Sequence, residues 1–358
     1  MSTKVVAAMS GGVDSSVAAA LLKKQGFNVI GVTMQVWPSK KALGGCCTFE
    51  AIDDASRVAD CLNIPHYILN FRDAFKEKVV DNFVEEYKNG RTPNPCIRCN
   101  QFIKFDHLME KAKELGAEYV ATGHYARIKL KIKNEKLKMK EYLLFKGTDK
   151  RKDQAYVLYM MGQKSLAHTL FPNGELTKAE VRKLARDFGL PVHDRKESQE
   201  ICFIEDDDYA RFLREVYPEA VRPGPILDKD GNILGMHGGI AFYTLGQRRG
   251  IGHHRSLPKY VIQINRERNA IVIGGQEETL GNELLAERVN YVSGDVPQEP
   301  LKISAKIRYN SPEAEAVLYP LEDNKAKVVF KKRQRAITPG QSVVFYKGDE
   351  VIGGGIIS

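Results

Sequence analysis

The chain of 358 residues has one tryptophan and six cysteines, and no apolar run of the roughly 20 residues that a membrane helix needs. Its opening, MSTKVVAAMSGG, lacks the basic start, long apolar stretch and small-residue cleavage site of a secretory signal. A soluble protein of the cytoplasm, with no membrane partner, is therefore expected. Six cysteines (Cys46, Cys47, Cys61, Cys96, Cys99, Cys202) are too few to staple a chain of this size. In a reducing compartment, clustered thiols bind metal or do chemistry instead. Low-complexity tracts and internal repeats are also missing, which excludes solenoids and disordered tails.

What is present is an ordinary globular mixture, 43% hydrophobic and 28% charged, enough to bury a core in at least two domains. Lys and Arg number 54 against 45 Asp and Glu, and the net charge of +9 suits a polyanionic partner without naming one.

Apolar runs alternate with amphipathic stretches through the first third. Lys4 to Met9, Asn28 to Val36 and His66 to Asn70 read as strands; Ser15 to Gln25, Phe49 to Leu62, Asp73 to Lys88 and Lys104 to Leu115 read as helices. Glu118 to Ala126 begins as a strand and ends in a polar turn. This is the pattern of a doubly wound parallel sheet, which binds ligands beyond the carboxyl ends of its strands. Arg127 to Phe145 alternates as a hairpin turning at Lys133 to Lys136. Leu176 to Pro191 is a helix opened by a Thr177 and Glu180 capping box. After Pro223 short β runs separated by Gly, Pro and Asn suggest an antiparallel barrel.

The sharpest motif is Ser10-Gly11-Gly12-Val13-Asp14-Ser15-Ser16, set between a strand and a helix. Glycines turn the backbone so that its amides face outward, the serines add donors, and the helix offers its positive end: together these hold phosphate. No lysine closes the loop, so it is not the GxxxxGK[ST] element of kinases and GTPases. The second motif, Asn94-Pro95-Cys96-Ile97-Arg98-Cys99-Asn100, sets two thiols three apart at a helix start, where the dipole and Arg98 would favour the thiolate. The same pair could be half of a zinc site completed by Cys46 and Cys47.

SGGVDS resembles the loop of the ATP pyrophosphatase superfamily, whose members adenylate a substrate and release pyrophosphate. With TPNPCIRCNQFIKF, ATGHYA, KDQAYVL, SQEICFI, YTLGQRRG and RAITPGQ in this order, nearly the whole chain resembles the tRNA-specific 2-thiouridylases. The resemblance implies a nucleotide-binding α/β domain over residues 1–163, a small α-helical central domain over 164–222 carrying Cys202, and an antiparallel β-barrel over 223–358 that binds tRNA.

It also implies roles. Ala8, Met9, Ser10, Gly11, Gly12, Val13, Asp14 and Ser15 would line ATP, Asp14 would help hold magnesium, Met34 in the turn after the second strand would pack near adenine, and Gly123 would border the nucleotide. ATP would adenylate the oxygen on ring carbon two of the wobble uridine (position 34). Cys202 would carry a persulfide that attacks this carbon, and Cys99 would resolve the sulfur bridge, leaving a Cys99–Cys202 disulfide. Such closure needs α-carbons within about 7 Å, so the loop bearing Cys202 is expected to move.

Asn94, Pro95 and Cys96 would surround the target base of an anticodon stem-loop, whose bases leave their stack cheaply. His124, Lys152, Asp153, Gln154, Arg308, Tyr309 and Gln341 would touch tRNA. Arg248, Arg249, Lys331, Lys332, Arg333 and Arg335 are further candidates for phosphate contacts, or a solvated basic face. Many family members have Asp where this chain has Cys96. Cys96, Cys99 and Cys202 could instead hold an iron-sulfur cluster that binds sulfide. The sulfur donor would be a cysteine desulfurase, a sulfur-relay protein or inorganic sulfide. An amide-forming ligase sharing the phosphate loop, or an RNA-binding switch without catalysis, are the rival classes.

Overall fold

The computed structural model describes residues 2–37, 49–134, 139–195, 201–204, 208–252 and 258–358. Cys46, Cys47 and half of the expected Lys133 to Lys136 turn, Glu135 and Lys136, lie outside them.

Strands β1 (Lys4–Ala8), β2 (Asn28–Gln35), β3 (His66–Asn70) and β4 (Tyr119–Ala121) lie parallel, in one sheet with β7 (Thr169–Leu170); a hairpin of β5 (Ala126–Asn134) and β6 (Met139–Lys146) intervenes in sequence. Val5 and Val6 are fully buried, as a strand covered on both faces requires. The sheet order is β3-β2-β1-β4-β7. Connections from β1 run one way to β2 and β3, whereas β4 lies on the other side, so the crevice opens where β1 and β4 end. Met34 belongs to β2, paired with Leu69, and does not lie in the turn after it.

Helix α1 (Val13–Lys24) packs its Val17, Ala19, Ala20 and Leu22 on one face of the sheet with α2 (Phe49–Cys61) and the helix Lys178–Asp187. Thr177 and Glu180 form the expected capping box. On the other face, the chain from Arg72 to Lys88 and the long helix after Asn94 cover a core rich in Phe. Both contain a π-helical stretch, Lys76–Val80 and Cys99–His107. The long helix runs Pro95–Arg98 in α form, Cys99–His107 in π form, then Leu108–Glu114 in α form, so it starts well before the expected Lys104.

Helices are present between 163 and 222: Lys178–Asp187 and Tyr209–Val216 pack onto the two cores of the first sheet, while Leu166 of Gln163–Ala167 joins the cluster against the barrel. The section that follows has a β core: β8 (Gly224–Leu227), β9 (Ile233–His237), β10 (Tyr260–Asn265) and β11 (Ala270–Gly274) form a separate sheet around Ile226, Val261, Ile271 and Ile273. Strands β12 (Leu280–Tyr291), β13 (Leu301–Lys306), β14 (Ala314–Leu321), β15 (Lys325–Arg335), β16 (Ser342–Lys347) and β17 (Glu350–Ile357) close into an antiparallel barrel, since β12 pairs with both β15 and β17. One end of β17 also pairs with β6, through Glu350 and Phe145, so the hairpin extends the barrel sheet.

Ile201–Ile204 is pinned to the Phe-rich core. The Phe203 ring lies 5.3 Å from Phe83, 5.4 Å from Phe212, 5.7 Å from Phe75 and 6.1 Å from Trp37. Cys202 is half-buried beside it and packs on the same cluster as Cys99. The turn that bears Cys202 is thus held by its neighbour in the structure. Phe203→Ala should cost about 3–5 kcal/mol, as loss of a buried aromatic does, and should speed alkylation of Cys202. Urea unfolding and mass-resolved iodoacetamide labelling check both effects.

Candidate active site

The turn after β1 has the shape the glycines promised. Gly11 has φ +71° and a Cβ there would meet the Ala51 carbonyl oxygen at 2.2 Å, so only glycine fits. Gly12 opens α1 without a side-chain cap, leaving first-turn amides for an anion. The Ser10 amide donates to Ser15 Oγ (3.1 Å), and the hydroxyls of Ser15 and Ser16 both donate to the Gly12 carbonyl, at 3.1 and 2.8 Å. Ala8, Met9 and Val13 are buried beneath the turn, while Ser10 is exposed at its mouth.

Gly123, past the end of β4, presses against this turn. A Cβ would lie 2.7 Å from both Asp14 C and Ser15 N. Asn173, fully buried, bridges the two segments by donating to the carbonyls of Asp14 (2.9 Å) and Gly123 (3.2 Å). Asp14 itself accepts from the Tyr125 hydroxyl (2.6 Å) and from the Lys178 ammonium (2.7 Å) on one oxygen. Sequence reasoning missed Tyr125, Asn173 and Lys178. Tyr125 sat within the ATGHYA motif, but Lys178 read only as the residue after a helix cap.

Next to Gly123, His124 is buried, its Nδ1 paired with Thr122 Oγ1 at 2.7 Å and its ring between Phe105 (6.2 Å) and Phe171 (5.9 Å). Burial, then the nearby Lys104 ammonium, hold it well below the ordinary histidine pKa, so the imidazole is neutral at pH 7. Cys96 touches solvent yet is hemmed in deeply enough that desolvation pushes its thiol up, with Lys104 opposing. That corrects the expectation of a Cys96 thiolate favoured by Arg98 and the helix start. The Arg98 guanidinium turns elsewhere, donating to the Lys78 carbonyl at 2.7 Å and lying 4.7 Å from the Phe102 ring centre.

The remaining candidates form a seam between the first domain and the barrel. Asn94 accepts from the Ile97 amide (3.3 Å) as the helix cap, with Pro95 buried behind it. The Gln341 amide donates to the carbonyls of Thr92 (2.9 Å) and Pro93 (3.3 Å), and the Thr92 amide donates to Pro339 (2.8 Å). Arg308 donates to Thr338 Oγ1 (2.5 Å) and to the Leu245 carbonyl (3.2 Å). The Tyr309 hydroxyl donates to the Asp153 carbonyl (3.0 Å), while the Asp153 carboxylate accepts from the amides of Gly147 and Ala155. Gln154 and Tyr125 exchange hydrogen bonds, side chain to backbone and backbone to backbone. Lys152 lies half-buried in the same segment. Residues expected to touch RNA thus brace the Cys96 recess, and the half-exposed Tyr309 forms its rim.

Cys61 is exposed and far from the site in the fold, on α2 against the Gly189 carbonyl. The described thiols Cys61, Cys96, Cys99 and Cys202 are not joined in disulfides. Among the described residues no three His, Cys, Asp or Glu side chains converge as metal ligands. As arranged, Cys96, Cys99 and Cys202 do not make a cluster site.

Three family descriptions match in order: a tRNA methyl transferase HUP domain over residues 3–206, a tRNA methyl transferase PRC-barrel domain over 210–275, and an aminomethyltransferase β-barrel domain over 281–357. A protein named tRNA-specific 2-thiouridylase MnmA from Halothermothrix orenii is 53% identical over 99% of this chain and 98% of its own length. The chain belongs to the tRNA-specific 2-thiouridylase family. A second relative of the same name, from Clostridium perfringens, is 52% identical over 99% of this chain and 98% of its own. A 4-thiouridine synthetase solved with RNA and ATP is 17% identical, with a TM-score of 0.35 over 61% of this chain and 51% of that one. No described helix is long and apolar enough to cross a membrane.

Unfolded histidine takes up a proton near pH 6.5, whereas folded His124 resists it. Stability present above that pH should therefore fall as the solution is acidified through and below it. His66 and His237, also lowered by burial, act in the same direction. Denaturant unfolding at pH 7.5 and 5.5 should show the loss, and His124→Gln should reduce it.

Proposed function

We propose that this protein is a tRNA 2-thiouridylase that uses ATP to replace the C2 oxygen of the wobble uridine, position 34, with sulfur. What supports the reading is membership of the family together with one piece of geometry: the residue that presses on the phosphate turn, Gly123, is followed directly by His124 in the recess of Cys96.

The turn from Ala8 to Ser15 holds the phosphates of ATP, with Met34 and Gly123 at the nucleotide's edges. ATP enters with magnesium, for which Asp14 is the turn's one carboxylate. The uridine O2 attacks the α-phosphorus, the bond to the β-phosphate breaks, and pyrophosphate leaves. AMP on O2 is now a good leaving group. Cys202 carries a persulfide whose terminal sulfur attacks C2, forming a carbon–sulfur bond as AMP departs with the oxygen. The Cys99 thiolate then attacks the Cys202 sulfur. The sulfur–sulfur bond breaks, 2-thiouridine is released, and the Cys99–Cys202 disulfide that forms is reduced by an external thiol. A neutral His124 contributes a hydrogen bond to the base without placing a second positive charge beside Lys104. The target base sits against Asn94, Pro95 and Cys96, whereas Lys152, Asp153, Gln154, Arg308, Tyr309 and Gln341 carry the surface that meets the anticodon stem-loop. The sulfur of the persulfide comes, in the cytoplasm, from a cysteine desulfurase or a relay protein that already carries it as a persulfide and passes it to the Cys202 thiol; inorganic sulfide, lacking the two-electron oxidation this needs, belongs to the iron-sulfur route alone.

An iron-sulfur route through Cys96, Cys99 and Cys202 would need the three thiols to converge on metal. Iron content and absorbance after anaerobic purification, on wild type and Cys96→Ala, separate that route from the persulfide.

Unmodified tRNA incubated with the protein, ATP, magnesium and a sulfur source should yield 2-thiouridine on digestion and mass analysis, with AMP and pyrophosphate in equal amount. Cys99→Ser should lower the yield by about 1,000-fold or more, as loss of a nucleophile does. Full thiolation by Cys99→Ser would remove the relay, and ADP in place of AMP would remove the adenylation step.

A further inference from the structure

We infer that Lys104 is a catalytic residue of the adenylation step, holding the phosphate group that joins nucleotide and uridine; the inference rests on the proposed function. Its place follows from the winding of the helix that carries the thiols. Residues five apart diverge on an α-helix but line up where hydrogen bonds run from i to i+5. Cys99–His107 is wound in this π form, beginning at Cys99 itself. Lys104, five residues on, therefore returns toward the face that bears Cys99, about one turn beyond Cys99 and about two turns beyond Cys96. Had α winding continued, its stem would point well away from the thiols.

Two independent neighbours confirm the direction. The Lys104 ammonium is near enough to both the Cys96 thiol and the His124 imidazole to bias their protonation. These groups come from different elements, the helix after Asn94 and the segment after β4, so the ammonium is within electrostatic reach of both. Lys104 is half-buried, and among the described residues no carboxylate pairs with it. The other internal lysine of the region, Lys178, is by contrast already held by Asp14 at 2.7 Å. A cation kept partly from water and, among the described residues, without an anion beside it favours a bound anion strongly.

The anion is identified by location. Gly123 touches the first turn of α1, where the phosphates of ATP bind, and His124 is the next residue. A phosphate leaving that turn toward Cys96 passes the Lys104 ammonium. When uridine O2 bonds to the α-phosphorus, negative charge gathers on the phosphoryl oxygens; a fixed ammonium stabilises it without giving up a proton.

Lys104→Met keeps the aliphatic stem and removes the charge; Lys104→Arg keeps the charge. With full-length protein, unmodified tRNA and labelled ATP, Lys104→Met should release pyrophosphate about 100-fold more slowly, as loss of one preorganised donor does. Its tRNA affinity by filter binding should stay within about three-fold of wild type, and Lys104→Arg should recover most of the rate. Thermal unfolding establishes that both variants fold; should Lys104→Met not fold, Lys104→Gln takes its place. Wild-type rates of pyrophosphate release in the uncharged variant would overturn the inference, as would a loss of rate matched by an equal loss of tRNA affinity. Failure of wild type to thiolate tRNA at all is a different result, and it would count against the proposed function instead.

Discussion

The recess exists because the barrel grips the backbone just ahead of the thiol helix. Gly340, at φ +89°, brings its backbone so close to Thr92 that a Cβ would lie 2.8 Å from the Thr92 nitrogen. Pro339 and Gln341 on either side complete the grip through hydrogen bonds to Thr92 and Pro93. A hydrophobic cluster then welds the same seam: Ile97 and Phe105 from the helix pack with Tyr156, Tyr159, Val344 and Tyr346. Each buried aromatic of this kind is worth several kcal/mol, so the thiol helix is held firmly against the barrel. The surface proposed to meet RNA is thereby joined directly to the helix that carries Cys96 and Cys99.

From that seam the division of labour follows. The parallel sheet offers a phosphate turn at the reversal of strand order, the barrel offers a wall, and the π-wound helix crosses between them. Gly123 is the point of contact, a residue whose only side chain could be hydrogen because the first turn of α1 already fills the space. Burial keeps His124 neutral and pushes the Cys96 thiol up, and partial removal from water makes the Lys104 ammonium count for more than it would in water.

Much of this could be read from the chain before any coordinates. The glycine-serine turn, the capping box at Thr177 and the run of parallel strands are local signals, each written in adjacent residues, and all are present. What escaped were relations across long separations. Gln341 and Thr92 are 249 residues apart and Lys178 and Asp14 are 164 apart; no periodicity or spacing rule speaks to such pairs. The β5–β6 hairpin read correctly as a hairpin, but its pairing with β17 depends on where the barrel docks. The π winding after Cys99 was also hidden, since a five-residue register leaves no mark in the hydrophobic pattern of one turn. It mattered most for the site, because it decides which side chain stands beside the thiols.

The central claim is that oxygen leaves the base as AMP while sulfur enters from a thiol in the same recess. Transcript tRNA carrying oxygen-18 at C2 of the wobble uridine tests it directly, with the released AMP analysed by mass spectrometry after a single turnover. The label should appear in the AMP phosphate, one atom for each 2-thiouridine formed. Label found in water, with unlabelled AMP, would contradict the account.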